Sequence, residues 1–167
     1  MSDGSHGFLG QEFLTWLWYR METDGGEFPL SHERVVGLSL DDMLQFAPRD
    51  DGETSQLLRK GLPSRTPAAR TALKNGQRLA KARVVLGRGD REWSFTLDGS
   101  SFSLGSVKLP EDDEDLDSAQ DRSIERAANL LELHDLLGEV YGLFLKERLA
   151  EDYLEAGAEA QATWMAG

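Results

Sequence analysis

Basic side chains are concentrated in the middle third of the 167-residue sequence. No Asp or Glu lies between Glu53 and Asp90, whereas nine Lys or Arg residues fall in that interval. Lysine and arginine contacts to phosphates supply most of the sequence-independent affinity of proteins for nucleic acid. The interval therefore predicts a surface for a polyanion. The candidates for phosphate contact are Arg59, Lys60, Arg65, Arg70, Lys74, Arg78, Lys81 and Arg83.

The formal charge of the whole chain is −12, and it is distributed unevenly. Residues 1–53 carry a net charge of −8, residues 54–110 carry +8 and residues 111–167 carry −12. Two interpretations follow from this segregation. Either the basic segment binds an external polyanion, or the acidic termini balance it within the chain or across a dimer. The sequence leaves both open.

Residue patterns for catalysis are scarce. His6, His32 and His134 lie far apart and show no metal-ligand spacing. Gly87-Arg88-Gly89 lacks the Lys-Ser/Thr pair of a phosphate-binding loop and is typical of a hairpin turn. The consecutive acids of 111–117 are not expected to converge on one ion. We therefore expect no catalytic residue, metal or cofactor, although a hydrolase with Asp or Glu from separate strands around a metal is an alternative.

The composition indicates a cytoplasmic protein. The sequence has no cysteine, which fits a reducing compartment. No apolar run approaches the roughly 20 residues that cross a bilayer, and the N-terminus lacks a basic segment followed by an apolar one. We expect no membrane partner, and association with a bacterial nucleoid if the protein binds DNA.

Hydrophobic periodicity predicts an α+β fold. Apolar residues alternate in several short segments bounded by Gly and Asp, as in β-strands, whereas the two ends of the chain show helical spacing. This order predicts an antiparallel β-sheet flanked by a short N-terminal helix and a long C-terminal helix. The expected elements are helices over 8–22, 66–76 and 121–156, and strands over 35–40, 43–46, 54–62, 78–86, 93–97 and 102–109, with Asp41-Asp42 as a hairpin turn.

One domain is expected. The N-terminal helix and the sheet occupy 1–110, including the basic segment 54–89, and an acidic linker occupies 111–120. The long helix over 121–156 belongs to the same domain, and 157–167 is a tail.

The long helix carries an apolar stripe at alternating three- and four-residue spacings. If the stripe is exposed, it is an interface for a partner protein or a second copy; if it is buried, it belongs to the core. Its members are Leu130, Leu133, Leu137, Val140 and Phe144.

Three segments resemble the RdgC family of recombination-associated proteins. Residues 8–19, FLGQEFLTWLWY, are similar to a segment of shorter or divergent family members. Residues 72–82 resemble the family's helix-to-strand junction. Residues 93–98, followed by 107–110, are similar to its final hairpin, and the long terminal helix occupies the corresponding place.

The resemblance implies a DNA-binding protein without sequence preference that acts in recombination. Better-known members form ring-shaped dimers around duplex DNA and restrain a recombinase. The matching junction carries Lys74, Arg78 and Lys81, to which the resemblance assigns phosphate contact. This chain is shorter than the full-length members and far more acidic.

We therefore expect non-catalytic binding of nucleic acid phosphates, with double-stranded DNA as the partner. The alternative is an adaptor or subunit of a multi-protein assembly, for example in phage defence, that uses the C-terminal helix. The sequence also leaves open the oligomeric state and whether the acidic tail masks the basic segment.

Overall fold

The computed structural model describes residues 3–47, 56–110, 118–150 and 157–167, with side chains from Gly10 onward. These residues form an antiparallel sheet with helices, so the predicted α+β class is confirmed. The helices are α1 (Asp3–Thr23), α2 (Pro67–Lys74), α3 (Ala119–Arg148) and α4 (Ala158–Ala166), and the strands are β1 (Glu27–Pro29), β2 (Val35–Ala47), β3 (Gln56–Arg59), β4 (Arg78–Arg88), β5 (Arg91–Asp98) and β6 (Ser103–Lys108). The predicted linker over 111–117 and the helix end over 151–156 lie outside the described residues.

The sheet has the strand order β1-β2-β4-β5-β6, and every pair is antiparallel. Strand β3 also pairs with β2, on the edge opposite β4. Because β2 spans 13 residues, one of its edges holds β1 and β3 in succession.

The hairpin predicted at Asp41-Asp42 is wrong, because β2 continues through both residues. Its register against β4 shifts between Leu40 and Leu44, where the ladder is irregular. This irregularity places Asp41 and Asp42 in a half-buried and an exposed position while Leu40 and Leu44 stay buried. Two acidic residues therefore lie within a strand rather than ending it.

The helix predicted in the basic segment is confirmed, whereas the hairpin turn predicted at Gly87-Arg88-Gly89 begins two residues later, because Gly87 and Arg88 belong to β4. The helix predicted over 66–76 is α2, and the Thr66 hydroxyl caps it by accepting from the Ala69 amide at 3.3 Å. Gly76 follows the helix with a positive φ of 78°. The β4–β5 turn lies at Gly89 and Asp90, since β4 extends to Arg88.

Helix α1 is the centre of the core. Its residues from Phe13 to Trp18 are all buried, as the apolar sequence predicts. The Phe13 ring meets Tyr141 edge-on at 5.1 Å between centroids, and Trp16 lies 5.4 Å from Phe144. On the sheet side the core includes Trp93, Phe95 and Leu97, which alternate along β5. The helix is thus covered by the sheet on one side and by α3 on another.

The apolar stripe predicted on the long helix belongs mostly to this core. Leu133, Leu137, Val140 and Phe144 are buried, so the folded chain does not offer them to a partner. The aromatic residues of α1 cover them. Sequence periodicity alone cannot distinguish cover by the same chain from cover by a partner protein. Leu130 is 39% exposed.

The tail predicted over 157–167 contains a helix, α4, that packs against α1. The Trp164 ring meets Trp18 edge-on at 5.5 Å, and its indole nitrogen donates to Glu22 at 2.7 Å. Glu22 also accepts from the Trp18 indole at 3.1 Å and from Arg70 at 2.7 Å. One carboxylate therefore joins α1, α2 and α4.

The start of α1 approaches the sheet at two glycines. A Cβ atom placed on Gly10 would lie 1.9 Å from the carbonyl oxygen of Gly99, which is a rigid backbone atom. Gly99 follows β5, and its amide donates to the Ala80 carbonyl at 2.8 Å. Only a residue without a side chain fits this contact.

We predict that Gly10→Ala lowers the free energy of unfolding by about 1–3 kcal/mol, because the added methyl group must push α1 away from the sheet. Urea denaturation measures the change. Gly37→Ala is the matched control, since a Cβ on Gly37 meets nothing within 4 Å. Equal effects of the two substitutions would contradict the account of the contact.

Arginines attach α3 to the strands through its carboxylates. Arg34, just before β2, pairs with Asp135 at 3.1 Å and with Glu139. The Ser31 hydroxyl and amide also donate to Glu139. These interactions lower the pKa of Glu139 below its usual value of 4.5, chiefly through the Ser31 hydroxyl hydrogen bond and also through the charge of Arg34.

A lowered pKa in the folded state means that ionised Glu139 stabilises the fold above pH 4.5, and that this contribution is lost as the pH falls through the lower folded value. We expect Glu139→Gln to lower the melting temperature at pH 7. The difference from the wild type should shrink below pH 4.5, as thermal unfolding between pH 7 and 3 would show. Glu92→Gln, at an exposed carboxylate, is the control. A Glu139→Gln difference that is constant over this range would refute the role of its charge.

Candidate nucleic-acid interface

The second face of the sheet is not covered by any described helix. Along β5, Trp93, Phe95 and Leu97 are buried against the helices, whereas Ser94 and Thr96 between them are half-buried. Side chains alternate between the two faces of a strand, so this pattern defines an open face turned away from the helices. We use "open face" for that surface of β2 to β6.

Lys81 and Arg83 lie next to each other on the open face. They are two residues apart on β4, about 6.6 Å along the strand. Lys81 is opposite Gln45 of β2 and Asp98 of β5, and Arg83 is opposite Thr96. The strand alternation therefore places both cations on the side that the helices leave free.

The Arg83 guanidinium is held in place by neutral groups. It donates to the Ser106 carbonyl oxygen at 2.7 Å, to the Ser94 hydroxyl at 2.8 Å and to the Thr96 hydroxyl at 3.4 Å. These hydrogen bonds fix the side chain across β5 towards β6. Because no acceptor is a carboxylate, they leave the positive charge uncompensated. The result is a pre-positioned cation on the open face.

Two further cations flank this pair on the open face. Lys108 of β6 is opposite Ser94, and Arg59 of β3 is opposite Met43 at the other edge of the sheet. Sequence reasoning missed Lys108 because it lies outside the acid-free interval, although the alternation of Val107 and Lys108 was a usable signal. Acids lie on this face as well: Asp98 accepts from the Ser100 amide at 2.9 Å, and Glu92, two residues before Ser94 on β5, lines a concavity with Ser94 and Lys108.

Lys60 and Arg65 lie past the β2 edge of the sheet, and Arg65 faces α1. Both are exposed, and the Lys60 amide donates to the Asp42 carbonyl at 2.9 Å. Arg65 ends a short 3-10 turn, Pro63–Arg65, and lines a cleft of about 310 Å³ together with Met21. These two cations therefore lie beside the sheet rather than on its open face.

The remaining three candidates lie on the helical side. Arg70 pairs with Glu22 at 2.7 Å and lies 5.5 Å from the centre of the Trp164 ring. Lys74 lies beside Gly167, and Arg78 lines a concavity with Glu12 between α1 and α4. The eight residues predicted as one binding segment are thus divided between two sides of the molecule.

Internal charge balance accounts for the helical side. Carboxylates of α1 and α3 pair there with arginines: Glu12 with Arg148 at 3.0 Å, and Glu132 with Arg88 at 2.8 Å. By contrast, Lys81 forms no ion pair with another residue that the structure describes. Ion pairs within the chain therefore account for part of the charge segregation on the helical side, and the structure describes none for Lys81 or Arg83.

Within the described ranges, no group of three His, Asp or Glu side chains is placed to hold a metal ion. None of the described helices has both the length and the apolar character needed to cross a membrane.

Comparison with known proteins gives no match: no family model, no curated protein and no solved structure is significantly similar to this chain.

Proposed function

We propose that this protein is a non-catalytic nucleic-acid-binding protein that contacts the phosphates of double-stranded DNA through the open face of its sheet. The observation that carries the proposal is the Arg83 guanidinium, held by three neutral acceptors beside Lys81. A cation that is fixed but not neutralised binds an anion without first losing an internal partner or much side-chain freedom.

Binding of this kind is electrostatic and independent of sequence. The open face presents cations from three strands, with short hydroxyl side chains between them. These groups suit phosphate oxygens, which position a protein on nucleic acid but carry no base information. The four contacts available are Arg59, Lys81, Arg83 and Lys108.

The resemblance to the RdgC family supports the same class of ligand, and with it a role in recombination or DNA processing. Of the three residues to which it assigns phosphate contact, Lys81 lies on the open face, whereas Lys74 and Arg78 lie on the helical side. A role of this kind places the protein in the cytoplasm, at the bacterial nucleoid.

We also propose that α3 binds a protein partner, although through different residues from those that the sequence indicated. Its outer side exposes Ile124 by 60% and Leu131 by 71%, and Leu149, which caps the C-terminus of the helix, is 80% exposed. Exposed apolar side chains repeated along one helix are typical of an interface.

With four phosphate contacts, a plot of the logarithm of the association constant against the logarithm of the salt concentration would have a slope of about −3.6. Duplex affinity should therefore fall about 150-fold between 50 and 200 mM salt. We predict that Lys81→Glu weakens duplex binding at least tenfold at about 50 mM salt and makes the slope shallower by about one. Fluorescence anisotropy with a labelled 30-mer duplex measures both quantities.

Lys74→Glu is the matched control for this experiment. It changes the net charge by the same amount at an exposed lysine of the same predicted segment, but on the helical side. It should weaken binding much less. Equal losses in both variants would move the site away from the open face, and absence of wild-type binding at the lowest salt would refute the function.

A further inference from the structure

The outer side of α3 forms an apolar strip that no described part of the chain covers. Ile124, Leu131 and Leu149 share this side because they are separated by nearly whole helical turns, and Ala128 lies between the first two. The strip points away from the core, since the buried residues of α3 occupy the opposite side of the helix. Leu131 and Leu149 are more exposed than any other large apolar residue described.

Two glycines interrupt the same strip, one helical turn apart. Gly138 and Gly142 lie inside α3, where glycine is less favourable than alanine. A Cβ atom on either glycine would meet nothing within 4 Å, so the chain itself contains no neighbour that requires them. Together they leave a shallow groove between the exposed residues Leu131 and Leu149.

We propose that a second copy of this chain packs its α3 antiparallel against this strip. If the two-fold axis lies at the level of residue 136, Leu131 of each copy falls between Gly138 and Gly142 of the other. Ile124 then falls beside the partner's Leu149. Leu131 thus faces small residues in both copies, whereas Ile124 and Leu149 meet side by side at the two ends, and the same contacts occur twice about the axis. A parallel pair would instead place Leu131 on Leu131 and glycine on glycine.

Charge near the axis does not oppose this pairing strongly. Asp135 lies on the strip close to the axis, and Arg34 of the same chain binds it at 3.1 Å. Each copy therefore brings one arginine, which also pairs with Glu139 and so offsets only part of the repulsion between the two Asp135 carboxylates.

The size of the strip suits a reversible dimer. Ile124 and Leu149 are 25 residues apart, or about 37 Å along the helix. Two helices in contact over that length would bury on the order of 1,000 Å² in total, at the lower end for a specific interface. A dissociation constant in the micromolar range is therefore expected.

The pairing determines the direction of the open faces. The strip and the open face lie on opposite sides of each chain, so the dimer has the layer order sheet, helices, helices, sheet. Both open faces then point outwards in opposite directions. This consequence rests on the proposed function: with DNA on each open face, the dimer joins two nucleic acid segments instead of enclosing one.

Sedimentation equilibrium of the full chain between about 1 and 100 µM tests the pairing. We expect a monomer–dimer equilibrium that Leu131→Glu weakens at least 30-fold. Leu57→Glu is the matched control, since Leu57 is 49% exposed on the open face, and it should leave the dimer intact. Circular dichroism checks that both variants fold. A monomeric wild type at 100 µM, or a Leu131→Glu variant that still dimerises, would overturn the proposal.

Engineered cysteines test the antiparallel register, because the natural chain has none. Asp135→Cys should form an intermolecular disulfide near the axis. Ile124→Cys should not, since its copy would lie about 36 Å away along the helix. Cross-linking of Ile124→Cys at the rate of Asp135→Cys would show a parallel pair and overturn the register.

Capture of a second duplex tests the joining of two segments. Wild-type protein on bead-bound duplex should retain a free labelled duplex, whereas Leu131→Glu should bind the beads normally and retain none. Wild-type protein that binds the beads without retaining the free duplex would overturn this consequence alone. Protein that dimerises but binds no duplex would overturn it together with the proposed function.

Discussion

Phe13 and Trp16 lie on one side of α1 and Trp18 lies on another, and each side needs its own apolar cover. Strands supply one cover, α3 supplies a second through Phe144, and α4 supplies a third through Trp164. Burying these large rings is worth several kcal/mol, so the helices gather around α1 on one face of the sheet. The second face remains open because no described helix is left to cover it.

The same arrangement determines which charges stay available. Carboxylates of α1 and α3 come close to arginines from the strands and from α2, and they form ion pairs such as Glu132 with Arg88 and Glu22 with Arg70. Arg83 lies on the other side of the sheet, where its neighbours are hydroxyl and carbonyl groups. An acidic chain can therefore present unpaired cations on one face, because many of its acids form ion pairs where the helices pack.

Much of the fold could be predicted from the sequence, and less of the site. Alternation in β5 and the Thr66 cap are local signals, so they indicated these elements correctly. The continuation of β2 through Asp41 depends on pairing with β3 and β4, which lie far away in sequence. Neighbouring cations of the basic segment likewise separate onto two faces, because α2 packs with the helices while β4 crosses the sheet. Only the tertiary arrangement decides whether an arginine meets a carboxylate or a hydroxyl group.

Amide chemical-shift mapping during titration with duplex DNA at low ionic strength tests the central claim most directly. The account predicts saturable shifts at Lys81, Arg83, Ser94 and Thr96, with the buried side of α3 unchanged. Shifts confined to α2 and α4 would contradict it by placing the ligand on the helical side. An unchanged spectrum at saturating DNA would contradict nucleic acid binding itself.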